Sequence, residues 1–159
     1  MTGDFDLIAF LNRLRDWGFE TFGPGERRQG VCDHIKRELE EVERGEDDVI
    51  EWVDVALLAM AGALRSGWSV QSIASSVREL RVRANLIGDI GRALDAAYNG
   101  HSAGFVDIVN LVLRALQDQG WPREAAFHLM LAKQIKNEAR TWPDWRAFKD
   151  GEVIEHVRP

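Results

Sequence analysis

The reading of the fold turns on RELEEVERGEDDVIEWVDVALLAM, residues 37–60. Its second half reads as a helix that is apolar nearly all round, and such a helix is normally buried. Yet Glu51 and Asp54, three positions apart, are the two ionisable residues between Val49 and Leu64. A second pair with the same step, Glu38 and Glu41, stands just upstream. In a helix that step sets two side chains about 60° apart, within reach of one shared ion. Glu38 and Glu41 lie on the inner flank of a helix whose apolar face is Val31, Ile35, Leu39 and Val42, while Glu40 points nearly opposite. Gly45 ends that helix, and the short turn makes the two acidic helices antiparallel neighbours. Buried unpaired charge is costly, and like charges on one face repel as well. A divalent cation removes both penalties, and an all-oxygen donor set selects a hard ion, Mg²⁺ or its substitute Mn²⁺. A di-iron carboxylate bundle would need Glu-x-x-His pairs, and no glutamate here has a histidine three residues on.

Outward from this stretch, helical spacing dominates and no segment alternates as a strand would. The fold class is all-α. The pattern predicts helices over about Gly3–Trp17, Glu26–Arg44, from the acidic run Glu46-Asp47-Asp48 to Arg65, and from a Ser69 cap to about Ala84. Further helices follow over Leu86–Tyr98, Phe105–Gln117 and Pro122–Thr141. GFETFGPGERRQG, residues 18–30, reads as a loop on its four glycines and Pro-Gly pair. Trp142-Pro143 stops the last helix, and the tail beyond it is irregular. The segments 52–68 and 105–121 align without gaps, sharing Val-Asp, a leucine and a closing Gly-Trp. Upstream, 37–45 aligns on 92–100, with Ala93 and Ala96 in place of Glu38 and Glu41. One domain over 1–159 therefore reads as a duplicated helical hairpin. Its carboxylate-rich half spans about 26–84, a degenerate half about 86–141, and a C-terminal tail 142–159.

With 159 residues, 45% hydrophobic and 29% charged, the chain has the profile of a globular protein with one sizeable core. A net charge of −6 without a Lys/Arg block disfavours a nucleic-acid polymer as partner. The single cysteine, Cys32, excludes an intramolecular disulfide framework and a multi-cysteine zinc site. The longest apolar run, Val55 to Leu64, falls short of the roughly 20 residues a membrane span needs. The acidic N-terminus lacks the basic start of a signal peptide, so a cytoplasmic location is expected. The apolar surface of the third helix and of FVDIVNLVLRAL exceeds what one side of a small bundle covers. A homo-oligomer, dimer or tetramer, is expected on that ground.

The pairs Glu38-x-x-Glu41 and Glu51-x-x-Asp54 resemble the signature of the MazG-like all-α nucleoside triphosphate pyrophosphohydrolases. Within that superfamily the chain looks most like the phage and bacterial dATP/dGTP pyrophosphohydrolase branch. TFGPGERRQGVCDHIKRELEEVE, EWVDVALLAMAGALRSGW and the ending AKQIKNEARTWPDWRAF…IEHVR carry the likeness. It covers 21–68 and 132–158 well, and 85–120 poorly, where the chain adds about one hairpin. The resemblance implies Mg²⁺-dependent hydrolysis of a purine nucleoside triphosphate, dGTP, GTP or dATP, between the α- and β-phosphates. A phage-encoded enzyme would act in the host cytoplasm. A broader house-cleaning hydrolase, a pyrimidine triphosphatase, a non-catalytic nucleotide or metal sensor and a purely structural bundle are the competing readings.

On the first reading Glu38, Glu41, Glu51 and Asp54 are the metal ligands and catalytic acids, one glutamate also orienting the attacking water. A triphosphate needs positive partners too. Lys133, Asn137 and Arg140 form one stripe by their i, i+4, i+7 spacing, suited to phosphate oxygens, with Lys136 one step aside. Arg81, Arg83 and Asn85 end the fourth helix in a related way and are an alternative source. His34 lies one turn before Glu38. Arg27 and Arg28 enter the second helix from the Gly/Pro loop, where a nucleotide would be clamped. Trp17, Phe19 and Phe22 bracket that loop as candidates for stacking on a base, and Trp142 and Trp145 are expected to pin the tail.

Overall fold

The structure, a computed structural model, describes residues 4–45 and 48–158. Among them seven α-helices and one 3₁₀ turn form, and no strand. The helices are α1 (Leu7–Phe22), α2 (Arg28–Glu43), α3 (Asp48–Arg65), α4 (Val70–Ser76), α5 (Leu86–Tyr98), α6 (Ala103–Asp118) and α7 (Arg123–Ala139), with the turn at Trp145–Ala147. The expected start of the third helix at Glu46 and Asp47 lies outside the described residues, as does Gly3 at the expected start of the first.

α3 is the axis of the molecule. It packs against α2 on one side, α6 on another, and α7 and α1 on the rest of its circumference. α5 lies along α6 and touches α2, so the hairpins α2–α3 and α5–α6 close a four-helix core. Trp52, Val53, Val55, Ala56, Leu57, Ala59, Met60, Ala63 and Leu64 of α3 are all buried. So are Phe105, Val106, Ile108, Val109, Leu111, Val112, Leu113 and Leu116 of α6. Each large aliphatic among them contributes about 1.5–3 kcal/mol by leaving water. The two helices interlock at Gly62, where an added Cβ would sit 2.5 Å from the Phe105 ring. Most of the apolar surface of α3 and α6 is thus covered within one chain, although Ile50 of α3 remains exposed. Among the described residues no helix is long and apolar enough to cross a membrane.

The bounds of α1, α4 and α7 differ from the sequence expectation for reasons the contacts show. α1 begins later, where the Asp6 carboxylate accepts from the Ala9 amide at 2.9 Å, and runs on through Gly18 to Phe22. Its last turn is held from α3: the Arg65 guanidinium donates to the carbonyls of Gly18, Gly23 and Gly25 at 2.8–2.9 Å. α4 stops at Ser76 instead of reaching Ala84. There the buried Asn110 of α6 accepts from the Arg78 amide at 3.0 Å and donates to the Ser76 carbonyl at 3.1 Å. These bonds replace the helical ones the backbone gives up, and from Val77, which is extended, the chain runs without regular structure to a bend at Ala84. α7 ends at Ala139, and the Trp142 indole donates to the Asn137 carbonyl at 2.8 Å, satisfying one of the orphan acceptors of the helix end.

Beyond α7 the chain forms a strap. Trp145 packs on Gly23, and the buried Arg27 guanidinium lies 3.3 and 3.4 Å from the carbonyls of Lys149 and Glu152, donating to both. Gly30 on α2 lets the strap lie flat, since an added Cβ would sit 2.8 Å from the Glu152 carbonyl oxygen. The strap then returns to α7, where the Val157 amide donates to the Thr141 carbonyl at 2.7 Å.

Candidate active site

α1, α2, α3, α7 and the strap enclose a cavity of about 360 Å³. The acidic stretch builds one wall of it. Glu38 and Glu41 from α2 and Glu51 from α3 each bring a carboxylate oxygen to within 4.8 Å of the others. Burial, above all, raises the pKa of Glu51 well beyond the ordinary carboxylate range, and its hydrogen bonds with Glu38 and Glu41 raise it further. Burial likewise lifts Glu38. Glu41 moves the other way, because its hydrogen bond with Glu51 favours its charged form. Glu51 Oε2 is fully enclosed and has no hydrogen-bond partner. An acceptor buried in this way is costly unless something positive reaches it.

Asp54, one turn further along α3, stands apart from the three glutamates. Its Oδ1 is 3.4 Å from Lys133 Nζ on α7. Burial raises its pKa, and Lys133 opposes that rise. His34 places Nε2 3.3 Å from Glu38 Oε1. Burial keeps this histidine below its ordinary value, against the pull of Asp54 and Glu155.

Of the residues expected from the sequence, all four acids, His34, Lys133, Asn137, Arg140, Trp17 and Phe22 line the cavity. Arg140 has left the helix in an extended conformation, yet its guanidinium donates to Asn137 Oδ1 at 3.2 Å. Arg28 and Lys136 do not line it. Arg28 turns outward to Glu26, 2.7 Å away, and Lys136 is exposed. The alternative set is also elsewhere: Arg81 is exposed, Arg83 pairs with Asp89 at 3.3 Å, and Asn85 caps α5.

The far wall is aromatic. Trp17, Phe22 and Trp142 meet edge to face with ring centroids 5.0–5.6 Å apart, and His156 adds an edge contact to Trp142 at 5.8 Å. Trp142 therefore both pins the strap and faces the cavity, whereas Trp145 only pins. Phe19 lies outside, under the Arg65 guanidinium at 4.7 Å.

Of the two loop arginines, Arg27 lines the cavity, and Arg65 and the strap residues Glu155, His156 and Arg158 line it without having been singled out as its binding groups. The signal for the last two was present: they stand two apart in an extended segment, which puts both side chains on one side.

Together the walls offer an anionic, all-oxygen centre suited to hard cations, a cationic stripe suited to phosphate oxygens and an apolar aromatic face suited to a planar ring. No curated protein and no solved structure matches the chain. The profile of the dATP/dGTP pyrophosphohydrolase family matches residues 10–89, from α1 to the first turn of α5. That span is half of the chain and contains the whole acidic wall. The chain belongs to the dATP/dGTP pyrophosphohydrolase family, on a MazG-like all-α fold.

Proposed function

We propose that this protein hydrolyses a purine nucleoside triphosphate, dGTP, GTP or dATP, between the α- and β-phosphates, giving the nucleoside monophosphate and pyrophosphate with Mg²⁺ as cofactor. One observation carries the reading: three glutamates converge within 4.8 Å in a cavity that Lys133 and Arg140 also line. The enclosed, unpartnered Glu51 Oε2 supports a divalent ion as the missing positive group, and the oxygen-only donor set fits Mg²⁺ or Mn²⁺. Glu38, Glu41 and Glu51 would hold it, joined by Asp54 once Lys133 turns from that acid to the substrate. When bound, the ion supplies Lewis-acid chemistry, offsetting phosphate charge and acidifying water.

The chain's own groups do the rest. Glu38, with His34 beside it, orients the attacking water and accepts its proton. Lys133, Asn137 and Arg140 bind phosphate oxygens through charge-assisted hydrogen bonds. Trp17, Phe22 and Trp142 face the base. The α5–α6 hairpin, with Ala93 and Ala96 where the first hairpin has Glu38 and Glu41, serves as scaffold.

The test is product analysis on a panel of purine and pyrimidine triphosphates with Mg²⁺. Purine substrates should give monophosphate and pyrophosphate in equal amounts. Glu38→Gln should lower the rate by about a hundredfold or more while leaving the fold intact. Orthophosphate as the released product, or full activity in the variant, refutes the assignment.

A further inference from the structure

The strap carries two cavity-lining residues, His156 and Arg158, to which the proposed function gives no role. They meet the cationic end of the site. His156 edges against Trp142 at 5.8 Å and lies in the field of Arg140, Arg158 and Lys133. Burial first, and then those three cations, hold its pKa below the ordinary histidine value. His156 therefore marks the junction between the aromatic wall and a group of three cations drawn from α7 and the strap. Of these, Lys133 is engaged by Asp54 and Arg140 by the Asn137 amide oxygen. Arg158 projects from a segment fixed at both ends, by Arg27 at Lys149 and Glu152 and by the Val157–Thr141 backbone bond. A guanidinium on a fixed segment at a cavity rim is preorganised for planar, two-pronged recognition of phosphate oxygens.

We infer that the C-terminal strap is a substrate-binding element, and that Arg158 joins Lys133 and Arg140 as a third phosphate-binding cation, gripping the part of the triphosphate that leaves as pyrophosphate. This deepens the proposed function and rests on it for the identity of the substrate. The inference separates two jobs in one segment: residues 145–152 anchor, and residues 156–158 bind.

The test uses the full chain with Arg158→Gln and Arg158→Lys. Arg158 is exposed, so both variants should unfold at the wild-type temperature. With dGTP and Mg²⁺, Arg158→Gln should raise KM about tenfold or more with kcat within about twofold, and Arg158→Lys should fall between. Calorimetric titration with Mg²⁺-pyrophosphate should show the same order of weakening. A KM and a pyrophosphate affinity unchanged in Arg158→Gln overturn the inference. If wild-type protein turns over no triphosphate, the proposed function fails, and the titration alone decides the strap's role. In that case weaker pyrophosphate binding by Arg158→Gln upholds it, while equal binding, or none by wild type, overturns it.

Discussion

Lys133 on α7 reaches Asp54 on α3, Nζ to Oδ1 at 3.4 Å, with both side chains largely buried. The contact places a tethered cation next to three clustered glutamates, so one of the four signature acids has its counter-charge within the chain. Removing one partner of such a pair strands the other charge. Lys133→Met should therefore destabilise the EDTA-treated protein by about 1–3 kcal/mol, the residual solvent contact keeping the loss below that of a fully buried pair. Saturating Mg²⁺ should recover most of it, as read by urea unfolding. An equal loss with and without Mg²⁺ counts against Asp54 as a shared ligand.

The acids should also make the metal-free protein sensitive to base. Burial raises Glu38 to about 7 and Glu51 to about 9. With folded values above the unfolded one, the native state binds more protons, so the stability they contribute is present at acid pH and is lost as pH rises through those values. Glu41, shifted down, changes stability only below the ordinary carboxylate range and leaves this slope untouched. Melting temperatures in EDTA should fall from about pH 6 to about pH 9, and Mg²⁺ should flatten the slope. A slope that Mg²⁺ leaves unchanged contradicts the shared site.

Glu51→Gln separates stability from function. The neutral amide cannot supply the anionic ligand, but it relieves the cost of protonating or charging an acid in a crowded, enclosed position. Without metal the variant should be more stable than wild type, by on the order of 1 kcal/mol, with turnover and Mg²⁺ stabilisation both gone. Retained Mg²⁺ stabilisation would exclude Glu51 from the site.

Cys32 is fully buried on α2, and burial, followed by the Asp33 charge, pushes its thiol up to about 11. An aromatic disulfide reagent at about pH 8 should therefore react only as fast as the chain opens. Rapid labelling of the native protein would show that α2 does not pack as described.

Gly30→Ala tests the strap by geometry. The methyl would stand 2.8 Å from the Glu152 carbonyl oxygen, so the strap must lift or α2 must shift. Stability should drop by about 1–3 kcal/mol. Affinity for pyrophosphate should weaken, while Mn²⁺ binding by the glutamates, followed by electron paramagnetic resonance, should not.

Local pattern carried most of this molecule. α5 falls on the residues its periodicity indicates, and the acid pairs, Lys133 and Asn137 reach the cavity because helical spacing fixes their faces, while Arg140, past the helix end, stays with them through its hydrogen bond to Asn137. What escaped depended on distant contacts. Gly18 reads as a break, yet Arg65 from α3 holds the turn around it. α4 reads on to Ala84, yet Asn110, 34 and 32 residues further along the chain, takes the Ser76 carbonyl and the Arg78 amide. Periodicity also could not choose between Arg27 and Arg28. Arg27 adopts the left-handed conformation, φ 47°, and its side chain turns under the strap while its neighbour faces outward. Asp54 looked equivalent to the three glutamates because the sequence does not display Lys133 beside it.

The order of the walls along the chain has a consequence for synthesis. A ribosome delivers the glutamates of α2 and α3 early and the strap that encloses them last. Until α7 and the strap are added, the acids lack Lys133 and the walls that close the cavity around them.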